Sequence, residues 1–285
     1  MKQFLADALR DLDDLLRGSR TRPQDLAERG FDVRARRMAI TITLLCMLYG
    51  VCMGTFSLLK ETPPTLDDPS GRYLQVLAST LKTPALFFLT LLVTLPSLYV
   101  SNALVGSRLS AFNLIKLVVA SLGVNAAVLA SLGPIVAFFS VSTDSHAFIV
   151  LLNVTAFAVA GVLGLAFLLQ TLHRLSGPTR PTFSRESATP IVEFADGVEV
   201  DTPPAPEPSA IDMPEGEVLG EHTRLVFRCW VVLFALVGAQ MGWVLRPFIG
   251  RPELPFQWFR ERHSNFFAAV LKSLGELLLG PGGLD

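Results

Sequence analysis

Five stretches of this chain stay apolar for longer than a globular core helix requires: residues 38–59, 84–106, 113–140, 146–172 and 225–245. About 20 such residues in a helix span the ~30 Å hydrocarbon layer of a bilayer. Inside that layer every backbone N–H and C=O must be satisfied internally, which favours helices. The expected fold class is therefore all-α: a polytopic membrane protein with about five transmembrane helices and amphipathic helices at both ends. Composition agrees. The chain is 51% hydrophobic and only 17% charged, against roughly 25% charged in soluble proteins, and the mean hydropathy is +0.47.

The charges are segregated, so the net charge of -1 says little. Nine of the 24 Lys and Arg residues precede residue 38, and "RARR" abuts the first span. Positive residues collect on the cytoplasmic side of membrane proteins. A cytoplasmic amino terminus places fifteen basic residues inside and eight outside, Lys82 among the latter in a first outer loop. The Arg-rich C-terminal tail runs against that bias. No short apolar h-region with a small-residue cleavage site precedes the first span, which reads as an uncleaved anchor.

The segments divide as 1–37 (a cytoplasmic amphipathic and basic start), 38–172 (four spans), 173–223 (a linker), 224–245 (the fifth span) and 246–285 (a tail). In "MKQFLADALRDLDDLLR" Leu5, Leu9, Leu12, Leu15 and Leu16 recur at helical spacing, opposite Asp7, Asp11, Asp13 and Asp14. Surface-bound helices are usually basic on the polar face. The acidic face points instead to packing on a partner or on the chain's own cytoplasmic segments. The linker, with "DTPPAPEPSAIDMPEGE" and ten acids between Glu186 and Glu221, cannot bury enough to fold alone. It is read as a solvated tether, or as a docking segment through "PIVEFADGVEV". "GRYLQVLASTLK" is expected to lie along the membrane before the second span. "NFFAAVLKSLGELLL" is expected at the interface and not across it. Pro96 and Pro134 should bend spans two and three.

Small residues mark helix contacts: Gly50 and Gly54 in "GVCMG"; Ala120, Gly123, Ala127 and Ala130 in the third span; Ala156, Ala160 and Gly164 in the fourth. Close backbone approach replaces the hydrophobic drive that lipid removes. Asn125 and Asn153 are the intramembrane amides. Counting about 1.5 Å per residue places them at similar depth on antiparallel neighbours, so a hydrogen-bonded pair is expected, worth about 1 kcal/mol. It serves either as structural glue or as the lining of a polar path.

Chemical motifs are sparse. No span contains Asp or Glu, the usual groups of proton relays and cation pathways. The cysteines (Cys46, Cys52, Cys229) and histidines (His146, His173, His222, His263) share no ligand spacing. No catalytic residue, cofactor or metal is expected, and "STDSH" reads as a polar loop. Basic residues gather at membrane boundaries, so nucleic acid is not implied. The tail is different. Trp243 stands where an aromatic belt belongs, Arg246–Pro247 ends the helix, and Arg251, Trp258 and Arg260 follow. This is either an interfacial collar or a recognition surface, since Trp and Arg dominate interface hot spots.

"LKTPALFFLTLLVTLPSLYVSNALVGSRLS" (residues 81–110) with "GAQMGWVLRPFIG" resembles an uncharacterised family of bacterial multi-pass membrane proteins, from about residue 81 to the C-terminus without the linker. The five-span layout with a cytoplasmic amino terminus is also similar to Yip1-type membrane proteins. The resemblance implies a bacterial cytoplasmic (inner) membrane and brings no binding residues. The expectation is a non-catalytic membrane component, for accessory, scaffolding or assembly work. Its partners would be the lipid bilayer and another membrane protein, a second copy of the chain included. The alternative is passive transport of a small solute or lipid along the Asn125 and Asn153 faces.

Overall fold

The computed structural model describes residues 2–17, 35–59, 69–104, 111–175, 216–245, 257–258 and 265–279. Among these the chain is all-helical: α1 (Lys2–Leu16), α2 (Ala35–Leu59), α3 (Pro69–Leu104), α4 (Ala111–Ser142), α5 (His146–Leu175), α6 (Gly216–Leu245) and α7 (Phe266–Leu279). Five of them, α2 to α6, are long and apolar enough to cross a membrane. The core lies where α2 meets α3 and α4, where α4 meets α5, and where α6 packs on α3.

Glycines set the spacing between α2 and α3. A Cβ at Gly50 would lie 2.7 Å from Thr80 Cα and 2.8 Å from Ser79 O, and one at Gly54 would lie 3.1 Å from Val76 Cα. The GxxxG of the first span is therefore the contact face for α3, as its spacing predicts. Steps forward along α2 match steps back along α3, so the two are antiparallel. The buried faces of α3 carry hydroxyls, Thr90 among them on the side that meets α6. Ser79, Thr80, Thr83, Thr90 and Thr94 are buried, and each donates to a carbonyl of its own helix three or four residues back. Such back-bonding lets polar side chains sit in an apolar contact without an unmet donor.

Helix α3 corrects the expectation for "GRYLQVLASTLK". That stretch is the first third of one continuous helix that holds Pro84 and Pro96 inside it, so no separate helix begins at Pro84. Proline removes one intrahelical bond and crowds the preceding turn. The hydroxyls of Thr80, Thr83, Thr94 and Ser97 bond to carbonyls in the turns around the two prolines, which helps the helix carry them. The part of α3 long and apolar enough to cross a membrane runs Gly71–Val100, so Lys82 lies within it and not in a loop.

Helices α4 and α5 form an antiparallel hairpin joined by residues 143–145. Ser145 starts α5 as its cap, accepting from the Phe148 N–H at 3.3 Å, so "STDSH" is a helix start. The expected small-residue face of α5 is buried: Asn153, Ala156, Ala160 and Gly164. That of α4 divides. Gly123 faces Met38 and Leu12, while Ser121 and Asn125 face Gly164, whose added Cβ would lie 3.0 Å from Ser121 O.

Helix α1 packs on α2 and α4 of its own chain. Ala8, Leu12 and Leu15 are buried, while Leu9 and Leu16 remain about half exposed, at 48% and 50%. Its acidic side is used at the edge, where Asp11 meets Arg37 Nη1 at 3.2 Å. Arg37, next to the first span, therefore helps to hold α1. Between the ends, α5 continues to Leu175 and α6 begins at Gly216. Both helices enter the stretch read as linker, whose residues 176–215 lie outside the described ones. Helix α7, capped by Asn265 onto the Ala268 N–H at 2.8 Å, has 14 residues, too few to span, and packs on α5 and α6.

Candidate functional site

Halfway along α2, "LCMLYGVCMG" presents a phenol to the bundle interior. Tyr49 Oη donates to Asn153 Oδ1 of α5 at 2.9 Å, and Asn153 Nδ2 donates to Ile149 O at 2.9 Å. Both residues are 0% exposed. The ring of Tyr49 meets Phe157 edge-on with centroids 5.5 Å apart, and Phe157 stacks on Phe87 of α3 at 6.2 Å. One layer thus ties α2, α3 and α5 together by a satisfied polar contact inside an aromatic cluster. Satisfied buried polar contacts of this kind select one packing among several apolar ones.

This arrangement overturns the expected Asn125–Asn153 pair. The three-residue turn between α4 and α5 sets their register and brings Asn125 opposite Gly164, in contact at 3.1 Å from its added Cβ. Asn153 is eleven residues from Gly164, about 16 Å along the helix. The depth count had fitted both spans to a 30 Å layer, whereas α4 has 32 residues and a length near 48 Å. Asn125 Oδ1 is buried without a hydrogen-bond partner. The two amides therefore line no common path, and closely packed small residues lie between α4 and α5.

Trp230 Nε1 donates to Ser97 Oγ at 3.1 Å, and Gly238 and Gly242 of α6 face Thr90 and Leu86 of α3. This antiparallel register brings Leu245, the last residue of α6, level with Thr83. Lys82 continues the Leu86–Thr90 stripe past that point. Its side chain is buried at 9% exposure, and Nζ donates to the backbone carbonyl of Trp258. A cation beside the carbonyl end of a helix is favourable, and its bond to the returning chain pins the tail against α3. Sequence counting missed Lys82 because "TLKTP" looks like the edge of a loop. The signal was available: the lysine sits four residues before Leu86 on the face that carries Leu86 and Thr90.

Of the expected tail surface, Trp243 is half-buried in the last turn of α6, and Trp258 is 44% exposed beside Lys82. Arg246, Arg251 and Arg260 lie outside the described residues. Among the described residues no group of His, Cys, Asp and Glu is placed to hold a metal. Cys46, Cys52 and Cys229 are unbridged thiols. A small apolar crevice between Leu98, Leu117, Leu168 and Trp230 has room for about one water molecule.

The Lys82 contact makes an expected outcome. Lys82→Met keeps the stem and removes the donor, forfeiting a charge-assisted bond of about 1.5–3 kcal/mol. Chymotrypsin cleavage after Trp258 in detergent should accelerate by about tenfold, the factor that 1.4 kcal/mol represents. Unchanged cleavage would mean that the lysine does not hold the tail.

The chain matches no protein-family model, no curated protein and no solved structure.

Proposed function

We propose that this chain is a non-catalytic integral membrane protein, an accessory, scaffolding or assembly component that binds another membrane protein or lipid through its C-terminal tail. The observation that carries this reading is the use of Lys82. The buried cation within a span is directed to the Trp258 backbone, which leaves the indole exposed. A tryptophan held by its own backbone presents a large contact area at low entropic cost, the property of interface anchors. Packing supports the same reading: the interior is closed by glycine contacts, hydroxyl back-bonds and one aromatic layer. Its setting, on this proposal, is a bacterial cytoplasmic membrane with the amino terminus inside, in keeping with the positive-charge bias of the first 37 residues.

The test is affinity purification of the full chain in mild detergent, with protein and lipid quantified by mass spectrometry. Arg246→Ala combined with Trp258→Ala should deplete a specific co-purifying protein or lipid by tenfold or more, the scale of losing one hot spot of about 2 kcal/mol. If the double variant retains the same companions at wild-type levels, the tail is only an interfacial collar.

A further inference from the structure

We propose that α1 is a membrane-surface helix whose Leu9–Leu16 edge contacts lipid acyl chains while the neighbouring face stays docked on α2 and α4. Ala8, Leu12 and Leu15 are buried, and Leu12 reaches Gly123 of α4 beside Met38 of α2. Leu9 and Leu16, seven residues apart, fall on one line of the helix and are about half exposed. At 3.6 residues per turn that line lies roughly a quarter turn from the docked face. Asp7, Asp11 and Asp14 lie about as far round on the other side. The apolar surface of α1 is therefore wider than its contact with the bundle.

The surroundings of that edge identify its partner. Arg37, which meets Asp11 at 3.2 Å, begins a stripe of α2 that continues through Thr41, Leu44, Leu48 and Val51. Thr41 is buried, whereas Leu44, Leu48 and Val51 are exposed. On α4, Gly123 begins the stripe of Ala127, Pro134, Phe138 and Val141, of which the last three are exposed. Helix α1 thus covers one end of two helix faces that are bare and apolar farther along. In a bundle that crosses a membrane, such faces meet acyl chains. Depth agrees with this. Met38 and Gly123 lie towards the starts of the candidate spans Ala35–Leu59 and Leu114–Ser142, where headgroups give way to hydrocarbon.

Acids hold a free helix of this kind off a membrane surface, and the dock removes that obstacle. Asp11 is paired with Arg37, and Asp13 with Arg17 at 2.8 Å. Among the described side chains of α1, the exposed charges are Asp7, Arg10, Asp13 and Arg17, two of each sign. Apolar contact and not headgroup charge therefore seats the edge. The proposal rests on the chain's residence in a membrane and is independent of the tail.

The experiment places the full chain in phosphatidylcholine nanodiscs with a small share of lipid carrying an aryl diazirine on its acyl chain. After illumination, adducts are mapped by mass spectrometry. Leu9 and Leu16 should be labelled within about threefold of Leu44 and Leu48, and Asp7 and Arg10 about tenfold less. Adding phosphatidylglycerol should leave this pattern unchanged. Leu9→Ser with Leu16→Ser should remove the α1 adducts and leave α2 labelling as it was. The same variant should speed amide exchange in α1 by about tenfold, the scale of losing two half-exposed leucines from lipid. Leu9→Phe with Leu16→Phe should keep wild-type labelling and exchange. Labelled Leu44 and Leu48 beside unlabelled Leu9 and Leu16 would overturn the proposal, as would equal labelling of Asp7 and Leu9. Unchanged exchange in the serine variant would do the same. Crosslinks between chains through α1, in place of lipid adducts, would assign the edge to a second copy and overturn the lipid contact. Wild-type labelling decides the matter even where the serine variant does not fold.

Discussion

Gly50→Leu is expected to separate α2 from α3 and to be among the most damaging single changes in the bundle. Even a methyl group at this position would stand 2.7 Å from Thr80 Cα and 2.8 Å from Ser79 O. Both neighbours are backbone and cannot rotate away. Inserting atoms into a closed contact costs about 1–3 kcal/mol where side chains absorb the strain, and here the helices themselves must part. A loss of about 3 kcal/mol or more is expected, read as reversible unfolding in mixed micelles. Gly54→Ala should be milder, because its nearest neighbours, Val76 Cα and Cγ1 at 3.1 Å and Cγ2 at 3.2 Å, stand farther off than the 2.7 and 2.8 Å at Gly50, and two of the three belong to a side chain. A Gly50→Leu protein as stable as Gly54→Ala would contradict the close approach of α2 and α3.

Tyr49→Phe tests the polar layer. The ring, its contact with Phe157 and the cavity volume are kept, while Asn153 Oδ1 loses its donor at a position with 0% exposure. Stranding a buried acceptor costs about 1–3 kcal/mol, although membrane bundles average nearer 0.6 kcal/mol per hydrogen bond. The expected loss is about 1–2 kcal/mol. Adding Asn153→Leu to Tyr49→Phe removes the orphaned amide as well and should recover part of the loss, giving a coupling of about 1 kcal/mol in a double-mutant cycle. If the two substitutions prove additive, the phenol and the amide do not interact. If Tyr49→Phe alone is neutral, the layer contributes packing only.

The places where sequence reading fell short share a cause. Asn153 was legible as a polar residue needing a partner, but its partner was sought among amides. A phenol within an apolar run is equally a donor, and Tyr49 stands beside Gly50 on a face already marked for contact. By sequence Lys82 reads as part of a loop, because Pro84 reads as a helix start. Proline is tolerated inside α3, where neighbouring hydroxyls bond to carbonyls of the same helix. The acidic face of α1 was legible as unsuited to lying on a membrane, yet nothing local distinguished an external partner from the chain's own α2 and α4.

The sequence by itself determined the number of spanning-length helices, the amphipathic character of both end helices and the glycine face of α2. These follow from periodicity and apolar length, which depend on residues a turn or two apart. Only the tertiary structure decided that Tyr49 and not Asn125 meets Asn153 and that Lys82 holds Trp258. Each of these depends on the register between helices, set by turn lengths and by how closely glycines let two backbones approach. A shift of one helical turn, about 5.4 Å, re-pairs the polar groups along a contact while leaving the pattern within each helix unchanged.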